Sequence, residues 1–124
     1  MDVSGDSLPI GQNAAENVFT ANPDVKVFLG QSTAHAQGIA NAIKALPNVD
    51  LADYGVFAGD MDPSVIEMVT SCKDPYKGFV AIGGTALDVA TYEQVKKMLQ
   101  GVEHPNIIND ALEPITCDFS TLAP

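Results

Sequence analysis

The sequence contains no arginine and only six lysines, whereas 16 residues are acidic, so the formal charge at pH 7 is −10. Binding to a nucleic acid or to an anionic membrane requires clustered cations, and bidentate contacts to phosphate are made by arginine. The charge balance therefore argues against both kinds of partner. No apolar run approaches the roughly 20 residues that a membrane-spanning helix needs. The polar residues 1–12 also lack the pattern of a secretory signal.

Cysteine is scarce as well. Cys72 and Cys117 are too few for a disulfide-rich scaffold, and they lack the CxxC spacing typical of metal and redox sites. One disulfide and two separate thiols both remain compatible with this pair. Hydrophobic residues make up 46% of the 124 residues and charged residues 18%, which supplies enough apolar surface for a folded core. Because this length is typical of one domain, we expect residues 1–124 to form a single domain.

Short apolar runs alternate along the chain with segments of helical periodicity, a pattern typical of a parallel α/β sheet. The apolar runs predict strands over 25–29, 54–58 and 78–82. The periodic segments predict helices over roughly 11–21, 33–46, 63–72 and 86–99. From 103 to 124 the periodicity fades, so we expect this part to be a tail packed over other elements.

Small and polar residues follow each predicted strand, in the segments 30–33, 59–62 and 83–85. In a parallel sheet, ligands bind beyond the carboxyl ends of the strands. Asp60 is the best single candidate, because a carboxylate can accept hydrogen bonds from two hydroxyls of one polyol. The alternative for Asp60 is a capping or solvated loop residue, and Asp62 is expected to cap the next helix. Ser32 and Thr33 are explained equally well as ligand-binding or as capping residues.

Other kinds of chemistry lack a supporting pattern. The loop 83–85 belongs to neither GxxxxGK[ST] nor GxGxxG and has no basic neighbour, so a nucleotide site is not expected. His104 has no partner at metal-ligand spacing, and His35 is expected to be a surface or hydrogen-bonded residue. No GxSxG motif is present, and Cys72 is expected to be an inert, buried thiol in a helix. We therefore expect neither an enzyme nor a cofactor or metal site.

The segment AENVFTANPDVKVFLGQSTAHAQGIANAIKAL, followed by VFAGDMDPSVIEMV, resembles the type I periplasmic binding proteins. More narrowly, it is similar to the C-terminal lobe of sugar-binding components of ABC importers, which are related to LacI-type repressor cores. The resemblance lies in the order of motifs and covers roughly residues 11–101. It implies a three-layer Rossmann-like (flavodoxin-like) lobe of a protein whose two lobes close on a ligand. Residues 1–10 and 103–124 would then be tail or crossover segments.

The same resemblance implies a ligand-binding set. Asp60 matches the family's sugar-binding aspartate after the second strand. The full implied set is Gln31, Ser32, Thr33, Asp60 and Gly84. The sequence departs from the family at Ser32, where asparagine is common, and at Gly84, where glutamine or asparagine is common. Gly59 also replaces an aromatic residue. The implied ligand is a small polar solute, such as a sugar, bound without catalysis.

The resemblance also implies partners and a location. The complete protein would be extracytoplasmic and would deliver its ligand to an ABC permease, whereas the alternative is the effector-sensing core of a LacI-type regulator. In an extracytoplasmic protein, a Cys72–Cys117 disulfide would attach the segment 115–119, which the resemblance assigns to a crossover. The family lobe has a central strand before the helix at 11–21. Without that strand, exposed sheet edges would favour homodimerisation by strand pairing or exchange.

Overall fold

The computed structural model describes residues 7–60, 62–81, 85–103 and 113–117. Within these ranges the chain forms four α-helices, four strands and one short 3-10 helix. In chain order the elements are α1 (Leu8–Ala21), β1 (Val27–Gly30), α2 (Thr33–Lys44), the 3-10 helix (Leu51–Asp53), β2 (Gly55–Gly59), α3 (Pro63–Thr70), β3 (Tyr76–Ala81), α4 (Thr85–Leu99) and β4 (Glu113–Thr116).

The strands form one sheet in the order β1-β2-β3-β4. The first three strands are parallel, with Val27 opposite Gly55 and Phe57 opposite Gly78. The predicted α/β class with parallel pairing is therefore confirmed. Connections between adjacent parallel strands are right-handed, which places α2 and α3 on the same face of the sheet. The carboxyl ends of β1, β2 and β3 consequently lie along one edge, which we call the carboxyl edge.

The hydrophobic core lies between the sheet and the helices α2 and α3. α2 contributes Ile39 and Ile43, which meet Val56 of β2, and α3 contributes Val65 and Val69. Four of these side chains, all except Ile39 at 6%, are 0% exposed. Burying an aliphatic side chain to this extent contributes about 1.5–3 kcal/mol. This cluster therefore fixes the positions of the loops at the carboxyl edge.

The helices α1 and α2 pack with their backbones in direct contact. A Cβ atom at Gly11 would overlap the carbonyl oxygen of His35, and one at Gly38 would overlap the carbonyl oxygen of Leu8. Only glycine leaves room for this crossing. α1 begins three residues before the predicted position, because Pro9 is accommodated in a first helical turn, where its missing N–H is not needed.

The opposite face of the sheet is open among the described residues. Val27 and Leu29 of β1 are 63% and 82% exposed, and Phe57 of β2 is also exposed. The outer edge of β1 has no partner strand in the described part of the chain. α4 is largely exposed along its described side chains, including Tyr92 and Leu99. In the described residues, the helix layer expected on this face is therefore not packed over β1 and β2.

Two parts of the second half of the chain differ in detail from the sequence pattern. Residues 113–116, within the segment expected to pack as a tail over other elements, form β4, which pairs antiparallel with β3 and places Ile115 opposite Phe79. Cys72 was expected inside a helix with a buried thiol, but α3 ends at Thr70 and Cys72 is exposed with a φ of +60°. The left-handed backbone at Cys72 ends the helix, which turns the chain toward β3.

Cys72 and Cys117 form a disulfide with a Cα–Cα distance of 4.8 Å. It joins the end of α3 to the end of β4. The backbone N–H of Cys117 also donates to the carbonyl of Lys77 at 3.0 Å, which continues the β3–β4 pairing. The edge strand β4 is therefore attached both by its backbone hydrogen bonds to β3 and by a covalent bond.

None of the described helices combines the length and apolar character needed to cross a bilayer.

Candidate functional site

The loops after β1 and β2 meet at the carboxyl edge. The Thr33 hydroxyl donates to the carbonyl oxygen of Asp60 at 3.3 Å. The backbone N–H of Asp60 donates to the carbonyl oxygen of Val80, in β3, at 3.0 Å. The backbone of Asp60 is thus connected to the first residue of α2 and to β3. Two of the residues that the sequence singled out, Thr33 and Asp60, are in direct contact.

Asp60 has a φ of +86°, in the left-handed region that favours glycine. For a residue with a Cβ atom, this conformation costs on the order of 1 kcal/mol, although aspartate tolerates it better than most residues. The two backbone hydrogen bonds hold it there. The residue is exposed, so the strained backbone presents a carboxylate at the edge of the sheet. Strain of this kind concentrates at functional sites.

The three candidates at the start of α2, Gln31, Ser32 and Thr33, differ in what their side chains do. The Ser32 Oγ accepts from the backbone N–H of His35 at 3.3 Å, so Ser32 acts as the N-cap of α2. Thr33 is only 5% exposed and supports the Asp60 backbone. Gln31 is exposed at the same edge. Gly84, the remaining candidate, lies outside the described residues. Ligand binding by the candidate set stays a prediction.

Asp62 caps α3, as the sequence predicts. Its carboxylate accepts from the backbone N–H of Ser64 at 2.8 Å, and this hydrogen bond holds the pKa of Asp62 below its usual value. Asp62 is also exposed. The carboxylate of Asp62 is therefore engaged in capping α3.

Tyr76 is a residue of this region that sequence reasoning missed. It is 0% exposed, and its ring packs edge-on against Phe79 with centroids 6.4 Å apart. Burial raises the pKa of Tyr76, the Thr33 hydroxyl nearby lowers it in part, and the charges of Asp60 and Asp62 raise it further. Despite this proximity, the phenol oxygen forms no hydrogen bond of acceptable geometry with a described residue. A buried, protonated hydroxyl therefore lies beneath the carboxyl edge.

A small groove lies beside this site rather than in it. It has a volume of about 220 Å³ and is bordered by Ile10 and Ala14 of α1, Leu29 of β1, and by Gln31 and His35. Neither Thr33 nor Asp60 lines it. The volume is below the 300–1,000 Å³ typical of enclosed ligand pockets. Among the described residues, Asp60 itself lies exposed beside this groove.

Metal coordination has no support in the described part of the chain. There, no group of three or more His, Cys, Asp or Glu side chains is placed to hold a metal ion. Asp60 and Asp62 alone provide too few protein ligands for a dedicated cage of the kind that calcium occupies.

The fold is shared with solved structures of solute-binding proteins. An ABC sugar transporter subunit from Rhodobacter sphaeroides 2.4.1 superposes with a TM-score of 0.77 at 19% identity, over 93% of this chain and 41% of that chain. A solute-binding protein from Agrobacterium vitis with bound allitol gives 0.78 at 16% identity, over 94% and 40%. A 5-methylthioribose transporter solute-binding protein from Thermotoga lettingae TMO, in complex with 5-methylthioribose, gives 0.79 at 18% identity, over 97% and 37%.

This chain spans about two fifths of the length of these proteins. Neither a family model nor a curated protein matches its sequence. At identities below 20% the structural matches establish the fold. The fold implied by the sequence resemblance, that of type I periplasmic binding proteins, is therefore confirmed.

Proposed function

We propose that this chain is one lobe of the ligand cleft of a solute-binding component of an ABC importer, and that the solute is a sugar or a closely related polyol. The observation that carries the proposal is the position of Asp60. Its carboxylate is exposed at the carboxyl edge of a parallel sheet, on a strained backbone held from both sides. Structurally similar proteins bind polyols and sugars.

The chemistry of the edge suits a hydroxyl-rich ligand. A carboxylate accepts hydrogen bonds from two adjacent hydroxyls, and bonds to a charged acceptor are stronger than neutral ones. Thr33 contributes indirectly, because it fixes the Asp60 carbonyl and with it the direction of the side chain. In the assembled cleft, a second lobe would close over this surface and supply the remaining hydrogen bonds.

The proposed role is binding without catalysis. General acid–base catalysis works best with a group whose pKa is near neutrality. Here the pKa of Asp62 is lowered by its cap and the pKa of Tyr76 is raised by burial, so both move away from neutrality. No cofactor enters this role.

The Cys72–Cys117 disulfide supports an extracytoplasmic location for the parent protein, because disulfides persist in oxidising compartments and are rare in the cytosol. The same reasoning counts against a cytoplasmic LacI-type regulator. Delivery of the ligand to an ABC permease follows from the proposed role and belongs to the two-lobed parent protein.

The proposal is tested by nuclear magnetic resonance titration of the isotopically labelled chain with a hexose, a pentose and a hexitol. Because the chain forms only half of the cleft, we expect millimolar affinity, about 4 kcal/mol. The shifts should centre on the amides of residues 31–33 and 60. Asp60→Asn keeps a side chain that tolerates the left-handed backbone but removes the charge, so binding should weaken about fivefold.

Asp24→Asn is the matched control, because Asp24 is an exposed aspartate before β1, at the opposite edge of the sheet. It should leave the affinity unchanged. If no sugar perturbs residues 31–33 and 60, or if Asp60→Asn binds as well as the unaltered chain, the proposed function is wrong.

A further inference from the structure

The charges of this lobe are separated between the two edges of the sheet. Lys26 precedes β1 and donates to the Tyr54 hydroxyl at 3.0 Å, and Lys44 ends α2 in an ion pair with Asp74. Lys73 precedes β3, and Lys77, near its start, donates to the carbonyl of Cys72. These four lysines therefore lie at the amino edge of the sheet.

The other two lysines, Lys96 and Lys97, lie in the last turn of α4. α4 begins just after β3 and is 15 residues long, so its last turn is about 20 Å from its start. Since the six lysines are the only residues with a permanent positive side chain, and all six lie away from the carboxyl edge, no lysine or arginine is placed there to attract an acidic ligand.

Carboxylates occupy the carboxyl edge instead. Asp60 and Asp62 follow β2, and Asp88 lies in the first turn of α4, shortly after β3. All three are exposed. The helix N-termini of α2 and α3 oppose this charge, with roughly +0.5 of an elementary charge each. Two such termini offset only about half of the charge of Asp60 and Asp62 together, so the edge remains negative.

The backbone N–H groups at the N-termini of α2 and α3 could bind an anion, but some of them already donate hydrogen bonds to capping side chains. Ser32 accepts an N–H of α2, and Asp62 accepts an N–H of α3. Beneath them, the fully buried Tyr76 hydroxyl lies beside Thr33 without a complete hydrogen bond. It is a neutral hydroxyl and adds no positive charge to the carboxyl edge.

We propose that the ligand of this half-cleft is an amino sugar or another polyol that carries a protonated amine, and that acidic and phosphorylated sugars are rejected. This inference rests on the proposed function and specifies its ligand class. A protonated amine would face Asp60, whose backbone is fixed by Thr33 and Val80, while the ring hydroxyls face the polar groups of the 31–33 segment.

Three sugars of similar size and different charge test the proposal: D-glucosamine, D-glucose and D-glucuronate. Each is titrated into the labelled chain at low ionic strength and again at about 0.15 M salt, where exposed charges are screened beyond about 8 Å. At low salt we expect glucosamine to bind about fivefold more tightly than glucose, and glucuronate to bind about fivefold more weakly than glucose. These factors correspond to the attraction or repulsion between Asp60 and a unit charge about 4 Å away in water. The differences should shrink at the higher salt concentration.

Asp60→Asn should reduce the preference for glucosamine over glucose, whereas Asp24→Asn, which removes the same charge at the amino edge, should leave it unchanged. If glucuronate perturbs residues 31–33 and 60 as strongly as glucosamine does, the inference is wrong while the proposed function stands. The inference is also wrong if glucosamine perturbs only the amino edge. If none of the three sugars perturbs the carboxyl edge, the proposed function itself fails.

Discussion

Reduction of the Cys72–Cys117 disulfide should lower the free energy of unfolding by about 4 kcal/mol. The two cysteines are 45 residues apart in the sequence. Closing a loop of this length in the unfolded chain costs about 13 cal/mol/K of entropy, which is about 4 kcal/mol at 25 °C. Since domains of this size are stable by only about 5–15 kcal/mol, the loss is a large share of the total.

The comparison is made between the oxidised and reduced forms of one sequence, by urea unfolding followed with circular dichroism. The left-handed backbone at Cys72 strains both forms, so its contribution to the difference largely cancels. In thermal unfolding, the same loss corresponds to a decrease in the melting temperature of about 10–20 °C.

The control is the Cys72→Ser/Cys117→Ser double variant, whose stability should match the reduced protein and should not respond to reductant. Two results would refute the reasoning. One is titration of two thiols in the native, unreduced protein. The other is an unfolding free energy that differs between the two forms by less than about 1 kcal/mol, well below the loop-closure value.

Three further predictions concern packing, capping and assembly. Gly38→Ala should destabilise the protein by about 1–3 kcal/mol in urea unfolding, because the added methyl group overlaps the Leu8 backbone; an unchanged midpoint would contradict the close helix crossing. The pKa of Asp62 is lower in the folded state, so its contribution to stability is present above the unfolded-state pKa and is lost as the pH falls through the folded value. Asp62→Asn, which keeps a capping side chain, should flatten the pH dependence of the urea midpoint in that acidic window. Homodimerisation through the edge of β1, which has no partner strand among the described residues, should weaken in Leu29→Glu, since Leu29 is 82% exposed there. A compact monomer at high concentration in sedimentation would argue against homodimerisation.

The order of strands and helices could be predicted from the sequence because the local signals agree with the fold. Pro23 and Pro47 follow helices, and Pro63 begins one, as the periodicity indicates. The position of β4 could not be predicted in this way. Four residues around Pro114 carry no alternation, and their pairing with β3 depends on tertiary contacts and on the disulfide to Cys72.

Part of the candidate site follows from topology and part depends on side-chain direction. The meeting of Thr33 and Asp60 follows from the rule that parallel strands end at one edge. Tyr76 could not be found by that rule, since it starts β3 at the amino edge. Its long side chain brings its hydroxyl near Thr33. The alternation of residues along a strand does not indicate the direction in which a long side chain extends.

The backbone at Asp60 connects the stability of the fold to its proposed role. At a φ of +86° glycine would remove the steric cost, so stability alone favours glycine at this position. Thr33 and the Val80 carbonyl instead hold an aspartate there. A strained residue that is supported by two neighbouring segments and ends in an exposed carboxylate fits the proposed binding role. The same two contacts that offset the strain also fix the backbone of Asp60, which in the proposed role would reduce the entropy lost when a ligand binds.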